Sequence, residues 1–332
     1  MKQSLLNIVK KIQECDIMVI GDIVADVYLE GKISRISREA PVLILEHSEE
    51  RVVPGGAANV VHNTAALRGK VLAVGVIGTD YAGQELTRIL SDKDANTAGL
   101  IIDTSRPTIT KTRIMAGGQA TVRQQIVRID KEKKEALSVQ IEKDVKSYIA
   151  AHIADMHGVV LSDYGSHTVT SDILRYVIQT CREKDIPCIV DSRYNIMEYS
   201  GIAVVKQNES EAAAAVGYEI MDEVTLLSAG KTILENLDAK AVLISRGPDG
   251  MTLFEKTGIV THIPVTNKSE VYDVTGAGDT VVATMILALA AGASYEDAAR
   301  LSNFAAGIVV KKPGTATTTP EELRQAIGEH FE

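Results

Sequence analysis

The sequence lacks the features that define several large classes of protein. It contains no C-x-x-C pair, and its three cysteines, Cys15, Cys181 and Cys188, cannot all pair with one another. We therefore expect small buried thiols in a reduced protein. No long apolar segment follows the N-terminal residues, and the longest apolar run, residues 281–291, is too short to cross a bilayer. These absences predict a cytoplasmic protein with no membrane partner.

A basic surface is also missing. The 332 residues include 44 acidic and 35 basic side chains, which gives a net charge of -9. Binding to nucleic acid without sequence preference requires lysine and arginine side chains that displace counterions, so this charge argues against a nucleic-acid partner. A local basic pocket for one phosphate group remains compatible with it. The length fits one large α/β domain or two smaller ones.

Two common nucleotide-binding motifs and one zinc motif are absent. Gly230-Lys231-Thr232 resembles the end of a P-loop, but Thr225 stands where that motif requires a glycine. No G-x-G-x-x-G follows the first predicted strand, and no H-E-x-x-H is present. The sequence therefore predicts neither a P-loop protein nor a Rossmann dinucleotide-binding protein.

What the sequence does contain is an alternation of short apolar runs with amphipathic stretches. The apolar runs lack strict alternation, which is typical of parallel strands that are covered on both faces. They occupy residues 17–20, 71–77, 159–161, 188–190, 203–205 and 241–245, and the helical stretches occupy residues 57–67, 140–155, 171–184 and 224–237. This alternation predicts an α/β fold with a doubly wound, mainly parallel sheet.

Two charged segments break the alternation, residues 28–53 and 106–129. Both are rich in β-branched residues and show a partial period of two, so we expect strands with one face in water. Such strands predict a small antiparallel β flap over a cleft.

The strongest chemical signal is D-V-T-G-A-G-D at residues 273–279, directly before a long apolar helix. Glycines allow a tight turn, and the start of the helix offers free N–H groups and a positive dipole end to an anion. We expect Gly276, Ala277 and Gly278 to hold a transferred phosphate and Asp279 to be the catalytic base, ionised by the helix dipole. The alternative is that Asp273 and Asp279 only cap turns, but two acids that bracket T-G-A-G favour a function.

With these residues the sequence resembles the ribokinase-like (PfkB-type) carbohydrate kinases over nearly the whole chain. Four further segments are similar to motifs of that family and occur in the same order, at residues 21–26, 55–59, 208–211 and 245–250. The resemblance implies a single kinase domain, residues 1–332, in which residues 28–53 and 106–129 form a lid. It also implies that ATP and Mg²⁺ are used and that a homodimer forms through the β flap.

The same resemblance implies roles for individual residues. Asp26, Gly55, Gly56 and Asn59 are expected to bind the sugar. The residues expected to bind the nucleotide are Asn208, Ser245, Gly247, Gly250, Asn303 and Ala306. Glu211 is expected to bind Mg²⁺ through water, with simple helix N-terminal charge as the alternative. A K⁺ ion is expected near Asp273 and Thr275.

Within the family, the sequence is most similar to the kinases that phosphorylate O1 of D-glycero-β-D-manno-heptose 7-phosphate. The similarity lies in residues 34–42, 54–60, 107–113, 161–164 and 271–280. Where those kinases have D-P-K-G and T-P-N, this chain has D-S-R-Y at residues 191–194 and K-Q-N at residues 206–208. We expect Arg193 to replace the lysine near the transferred phosphate. Since the chain ends at Glu332, we expect the adenylyltransferase activity of bifunctional members to be absent.

A sugar that already carries a phosphate needs cations in its binding site. Lys111, Arg113 and Arg128 lie on the predicted flap, and Asp163 ends a predicted strand, where ligands bind in open α/β sheets. The flap charges could instead be solvated strand residues. A kinase for another sugar, or a non-catalytic sugar-binding protein on the same fold, remain the alternatives.

Overall fold

The computed structural model describes residues 1–117, 124–266 and 271–331. Its strands in chain order are β1 (Asp16–Gly21), β2 (Ile23–Ile36), β3 (Leu43–Gly56), β4 (Lys70–Ile77), β5 (Asn96–Ile102), β6 (Ile109–Gly117), β7 (Gln124–Lys131), β8 (Gly158–Asp163), β9 (Cys188–Ser192), β10 (Val204–Asn208), β11 (Ala241–Ser245), β12 (Met251–Glu255) and β13 (Val260–Ile263). Its helices are α1 (Lys2–Lys11), α2 (Ala57–Ala66), α3 (Tyr81–Ser91), α4 (Val139–His152), α5 (Ser171–Glu183), α6 (Glu209–Val216), α7 (Glu223–Asn236), α8 (Ala277–Ala290), α9 (Tyr295–Val309) and α10 (Pro320–His330).

The main sheet has the order β13-β12-β11-β10-β9-β8-β1-β4-β5. The seven strands from β11 to β5 are parallel, and β12 and β13 are antiparallel additions at one edge. Each apolar run that predicted a strand lies in the parallel part. These strands are buried on both faces, which explains why their sequences do not alternate.

Helices cover both faces of this sheet. One apolar core joins α1, α2, α3, α8, α9 and α10 to it, and the other joins α4, α5, α6 and α7. Helix α8 is buried around almost its whole circumference from Asp279 to Ala288, which accounts for its apolar sequence. The predicted fold class is therefore confirmed.

The chain order reverses between β1 and β8, which are neighbours in the sheet. From β1 the chain continues outward to β4 and β5, whereas β8 leads to β9, β10 and β11 on the other side. The carboxyl ends of strands open a crevice at such a switch point. The residues that follow β1 and β8 therefore lie at the usual place for a ligand in this kind of fold.

Asp22 fixes the loop that follows β8. Its Oδ2 accepts hydrogen bonds from the Tyr164 and Ser166 N–H groups, at 2.8 and 3.0 Å, and its Oδ1 accepts one from Thr168 N–H at 3.1 Å. Asp22 is fully buried and is the only residue between β1 and β2. Burial raises the pKa of its carboxyl, and the three N–H donors counteract that rise.

A second sheet of four strands, in the order β3-β2-β6-β7, forms the predicted flap. Its outer pairs are antiparallel, and the central pair of β2 and β6 is parallel. The β2–β3 pairing is irregular at Glu30/Gly31 and again between Ile33 and Arg35. The predicted lid segment 106–129 includes residues 118–123, which lie outside the described residues. The limits of a single domain at residues 1–332 stay a prediction.

All three cysteines are buried free thiols, as the sequence predicts. In the part of the chain that the structure describes, no helix is long and apolar enough to span a membrane.

Replacing two helical glycines by alanine should change the free energy of unfolding in opposite directions. A Cβ at Gly230 in α7 would lie 2.4 to 2.5 Å from ring atoms of Phe254, whereas a Cβ at Gly328 in α10 meets nothing within 4 Å. We expect Gly230→Ala to lower the free energy of unfolding by about 1–3 kcal/mol through overpacking. Gly328→Ala should raise it by about 0.5–1 kcal/mol. Denaturant titration measures both, and a stabilised Gly230→Ala variant would contradict this packing.

Candidate active site

The N-terminus of α8 faces the crevice. Gly276 precedes the helix with φ at 78°, in the left-handed region, and a Cβ there would lie 2.7 Å from Asn59 Nδ2. Among the described residues no side chain caps α8. Its first turn therefore offers N–H groups and a positive dipole end to an anion.

Asp279 lies in this first turn, and its carboxylate is held on both oxygens. Oδ2 accepts a hydrogen bond from Asn59 Nδ2 at 2.7 Å, and Oδ1 accepts one from the Tyr164 hydroxyl at 3.0 Å. Burial raises the pKa of Tyr164 well above its usual value, so the hydroxyl remains protonated and donates. The base is thus oriented by two donors from different elements.

The protonation of Asp279 depends on opposing influences from its surroundings. Burial raises its pKa to about 6, and the nearby Asp191 carboxylate adds to the rise. Hydrogen bonds from Asn59 and Tyr164 and the charge of Lys206 oppose it without cancelling it. The expectation that the helix dipole holds this carboxylate ionised stays a prediction, and burial acts against it. The group is still mostly ionised at neutral pH, and a pKa near the working pH suits a general base.

A cavity of about 970 Å³ opens beside Asp279. This volume is in the range of nucleotide-sized ligand sites. Every residue that the sequence assigned to the nucleotide or the transferred phosphate lines it, namely Arg193, Asn208, Ser245, Gly247, Gly250, Gly276, Ala277, Gly278, Asn303 and Ala306. The flap cations Lys111, Arg113 and Arg128 do not line it. Glu211 and Thr275 also line this cavity, whereas Asp273 does not.

Several of these residues also shape the walls of the cavity. Asn208 and Glu211 cap the start of α6 reciprocally, because Asn208 Oδ1 accepts from Glu211 N–H and Glu211 Oε2 accepts from Asn208 N–H. Glu211 therefore caps a helix N-terminus, which was the alternative to the Mg²⁺ role, and it also lines the cavity. Gly250 has φ at 85°, and a Cβ there would lie 2.1 Å from the Ile263 carbonyl oxygen. Asn303 Nδ2 donates to the Pro264 carbonyl at 2.8 Å.

The predicted sugar-binding residues lie where β2 and β3 leave the core. Asp26 Oδ1 accepts a hydrogen bond from Arg113 Nη1 at 2.5 Å, and the two side chains form an ion pair. A Cβ at Gly55 would lie 2.5 Å from Asp26 Oδ2, so only glycine fits beside this carboxylate. Gly56 has φ at 54° and precedes α2, whose first turn carries Asn59. The predicted group is therefore brought together, with Asn59 against Asp279, the predicted catalytic base.

Two cations approach the ring of Tyr164 at the edge of the flap. Lys111 Nζ lies 5.3 Å from the ring centroid, and Arg193 Cζ lies 4.6 Å from it. Neither forms an ion pair with a carboxylate in the described ranges 1–117, 124–266 and 271–331. Burial and the charge of Arg193 together lower the pKa of Lys111. Arg128 differs from both, because it is exposed on β7 and pairs with Asp130 at 2.9 Å.

Two carboxylates that the sequence assigned to ligand binding instead accept hydrogen bonds from other residues of the protein. Asp163 accepts hydrogen bonds from the Ser192 and Tyr199 hydroxyls and from Gly165 N–H, at 2.9, 2.8 and 2.9 Å. It is buried and lies outside the cavity wall, so its contacts hold the loop after β8. Asp273 accepts from the N–H groups of Thr275 and Gly314, both at 2.9 Å. These bonds lower the pKa of Asp273 and fix the segment before α8.

Three residues at the site were missed in the sequence analysis: Asp22, Tyr164 and Lys206. Lys206 carried a usable signal, since a lysine in the strand of a doubly covered sheet is a buried charge that needs a partner. The structure gives it one, because Lys206 Nζ lies 3.0 Å from Asp191 Oδ2. Asp22 and Tyr164 carried no comparable signal, since their importance depends on the loop conformation after β8.

Known proteins are similar to this chain in fold and in sequence. Two solved structures cover 96% of this chain and 99% of their own. They are phosphofructokinase-2 from Escherichia coli in complex with potassium (TM-score 0.75, 20% identity) and Arabidopsis thaliana ribokinase complexed with ribose and ATP (TM-score 0.72, 19% identity). At these identities the likeness establishes the fold.

The family follows from closer sequence relatives. The model of the pfkB family carbohydrate kinases matches residues 15–322, and the chain belongs to this family. Two curated relatives are each named bifunctional protein HldE. The one from Geobacter sulfurreducens is 41% identical over 94% of this chain, and the one from Azorhizobium caulinodans is 40% identical over 95%. The chain spans 62% and 65% of their lengths, respectively. The protein is thus a carbohydrate kinase that is similar to part of these longer proteins.

The environment of Asp279 predicts a pH dependence. Because its pKa is about 6, kcat/KM should fall as the pH drops below about 6 and the base becomes protonated. Tyr164→Phe removes a donor to the ionised form, so the pKa should rise and the acidic limb should move up by about 0.5–1 pH unit.

A phosphate on the substrate also titrates near pH 6, so the readout is the difference between variant and wild type. Tyr176→Phe is the control, because its ring lies beside Lys146, away from the site. An acidic limb that is the same in Tyr164→Phe and wild type would contradict the hydrogen bond to the base.

Proposed function

We propose that the protein transfers the γ-phosphoryl group of ATP to a hydroxyl of a sugar phosphate. The proposed acceptor is O1 of D-glycero-β-D-manno-heptose 7-phosphate, and the product is the 1,7-bisphosphate. The observation that carries the reaction is the position of the Asp279 carboxylate, beside the N-terminus of α8 and at the wall of a nucleotide-sized cavity. The heptose substrate is supported by the resemblance of five sequence segments and by the HldE relatives.

In this proposal Asp279 takes the proton of the attacking hydroxyl. Asn59 and Tyr164 hold its two carboxylate oxygens, so the base needs little reorganisation. The N–H groups at residues 276–279 stabilise negative charge on the phosphoryl group in the transition state. Asp26, with its charge balanced by Arg113, binds sugar hydroxyls under the flap, which excludes water from the reaction.

The residues present fit Mg²⁺ that arrives with the nucleotide. No group of three acidic, histidine or cysteine side chains that could hold a metal occurs among the described residues. Mg²⁺ usually keeps several waters and binds through substrate phosphates, and Glu211 is placed to receive one of those waters. When bound, the ion neutralises charge on the phosphates. Asp273 and Thr275 are proposed to lie near a K⁺ ion and to order the loop before α8.

An acceptor that already carries a phosphate is favoured by Lys111 and Arg193. Two like charges held near one aromatic ring repel each other, and an anion between or beside them would relieve this repulsion. Arg113 and Arg128 already have carboxylate partners, whereas Lys111 and Arg193 have no ion pair with a described carboxylate. We therefore assign the phosphate of the acceptor to these two cations, which gives Arg193 a different phosphate from the transferred one that the sequence predicts for it.

A homodimer through the flap is part of the proposal. The flap exposes a set of large apolar side chains, namely Ile33, Ile36, Leu43, Ile126, Val127 and Ile129. A concentration of apolar side chains on one small sheet marks an interaction surface. A second copy of this chain would cover them.

The first test measures ADP release with ATP–Mg²⁺ and four acceptors: the heptose 7-phosphate, fructose 6-phosphate, ribose and fructose. We expect fast turnover on the heptose phosphate. Turnover on another acceptor alone would support kinase activity but reject the proposed substrate. No turnover on any acceptor would favour a non-catalytic sugar-binding protein. Asp279→Asn should lower kcat by roughly 10² or more and leave sugar affinity little changed. A near-normal kcat in that variant would reject Asp279 as the base.

The assignment of Lys111 makes a separate prediction. Lys111→Met removes a charge-assisted contact worth about 1.5–3 kcal/mol, so KM for the sugar phosphate should rise roughly tenfold to a hundredfold. KM for ATP should stay unchanged. Lys32→Met, on an exposed flap strand, is the control and should behave like wild type. A rise in the KM of ATP alone would place Lys111 at the nucleotide instead.

A further inference from the structure

Lys206 is a charged side chain at the wall of the nucleotide cavity that the proposed mechanism leaves unused. It lies in β10, is 5% exposed and contributes to the lining of the cavity. Its register partner in β9 is Asp191, and the two side chains form a buried ion pair with a Nζ–Oδ2 distance of 3.0 Å. Burying such a pair costs desolvation energy that apolar residues would not cost. Its presence in the core therefore calls for a role beyond stability.

The surroundings of Lys206 carry an excess of negative charge. Asp191, Glu211 and Asp279 all act on the ammonium group and together raise the pKa of Lys206 in spite of its burial. One cation therefore faces three carboxylates along the same wall. This arrangement keeps the lysine protonated. Lys206 is therefore a positive charge that a phosphate group can contact at this wall of the cavity.

The position of the ammonium group is fixed by the start of α8. A Cβ at Gly278 would lie 2.8 Å from Lys206 Nζ, so the amine rests against the backbone of the first helical turn. The ammonium group therefore lies against a helical turn whose N–H groups have no side-chain cap among the described residues. Glycine at position 278 leaves room for the amine at the place where the mechanism locates the transferred phosphoryl group.

We infer that Lys206 is a further catalytic residue, which donates a hydrogen bond to the phosphoryl group during its transfer. A lysine carries three donors, and the one hydrogen bond that Lys206 Nζ makes with the described residues is to Asp191, which leaves two donors that phosphoryl oxygens can accept from. The bond from the sugar oxygen to the γ-phosphorus forms while the bond to the β–γ bridging oxygen breaks. The electron pair leaves with ADP, and the proton of the sugar hydroxyl goes to Asp279.

This inference rests on the proposed phosphoryl transfer, and it adds a residue that differs from Arg193 in position. Arg193 is exposed and lies over the ring of Tyr164. Lys206 is buried and lies against Gly278 at the start of α8. Two cations with different neighbours can serve different phosphates, one on the acceptor and one in transfer.

The test is Lys206→Met, compared with wild type in kinetics and in nucleotide binding. We expect kcat to fall by roughly 10²–10³, as when one donor to a transition-state oxyanion is removed, with KM for the sugar within about threefold. Calorimetric titration should show weaker binding of ATP and unchanged binding of AMP. Lys231→Met removes an exposed lysine of α7 that pairs with Glu235, and it should match wild type in every measurement.

Removal of Lys206 alone leaves Asp191 buried without its partner and could unfold the protein. The double variant Asp191→Asn/Lys206→Met removes both charges and should recover the thermal midpoint without recovering kcat. Recovery of kcat in the double variant, or near-normal kcat in the single one, overturns the inference. If wild type transfers phosphate to none of the four acceptors, the proposed function fails, while the ATP and AMP titrations still decide whether Lys206 meets the γ-phosphate.

Discussion

The site depends on one hydrogen bond, between Asn59 and Asp279, which joins the first turns of two helices 220 positions apart in the chain. Asn63 fixes the amide of Asn59 by donating to its Oδ1 at 3.1 Å, and Thr280 donates to Asn63 Oδ1 at 2.8 Å. This chain of donors leaves Asn59 Nδ2 pointing at the base. Because a Cβ at Gly276 would occupy the same space, the glycine before α8 makes room for the contact. The glycine-rich turn thus serves the orientation of the base as well as access for an anion.

A consequence of this packing is that burial, opposed by hydrogen bonds and by the charge of Lys206, has the largest effect on the pKa of Asp279. The carboxylates of Asp22, Asp163, Asp191 and Asp279 are all buried, and each accepts hydrogen bonds or pairs with a cation. Fixed donors replace the water that each carboxylate loses, which keeps the site polar and stiff. Such a site can stabilise charge in a transition state without first reorganising.

The sequence predicts the repetitive parts of this molecule well. Runs such as residues 71–77 are apolar because both faces of β4 are covered, and residues 280–291 are apolar because α8 is buried on all sides. The family resemblance also assigns Asp279, Gly250 and Asn303 to one site, and all three line the same cavity. What the sequence does not reveal is competition among side chains for partners. Asp163 ends a strand as a ligand would, but Ser192, Tyr199 and Gly165 occupy it, and Arg113 is committed to Asp26.

The single residue between β1 and β2 restricts how the flap can move. Asp22 joins the core sheet to the flap, and its carboxylate holds the backbone that carries Tyr164. A hinge at this residue would break those bonds and release the hydroxyl that orients the base. The pairing of β2 with β3 becomes irregular only farther out, at Glu30/Gly31 and between Ile33 and Arg35. The root of the flap is thus tied to the same contacts that orient the Asp279 carboxylate.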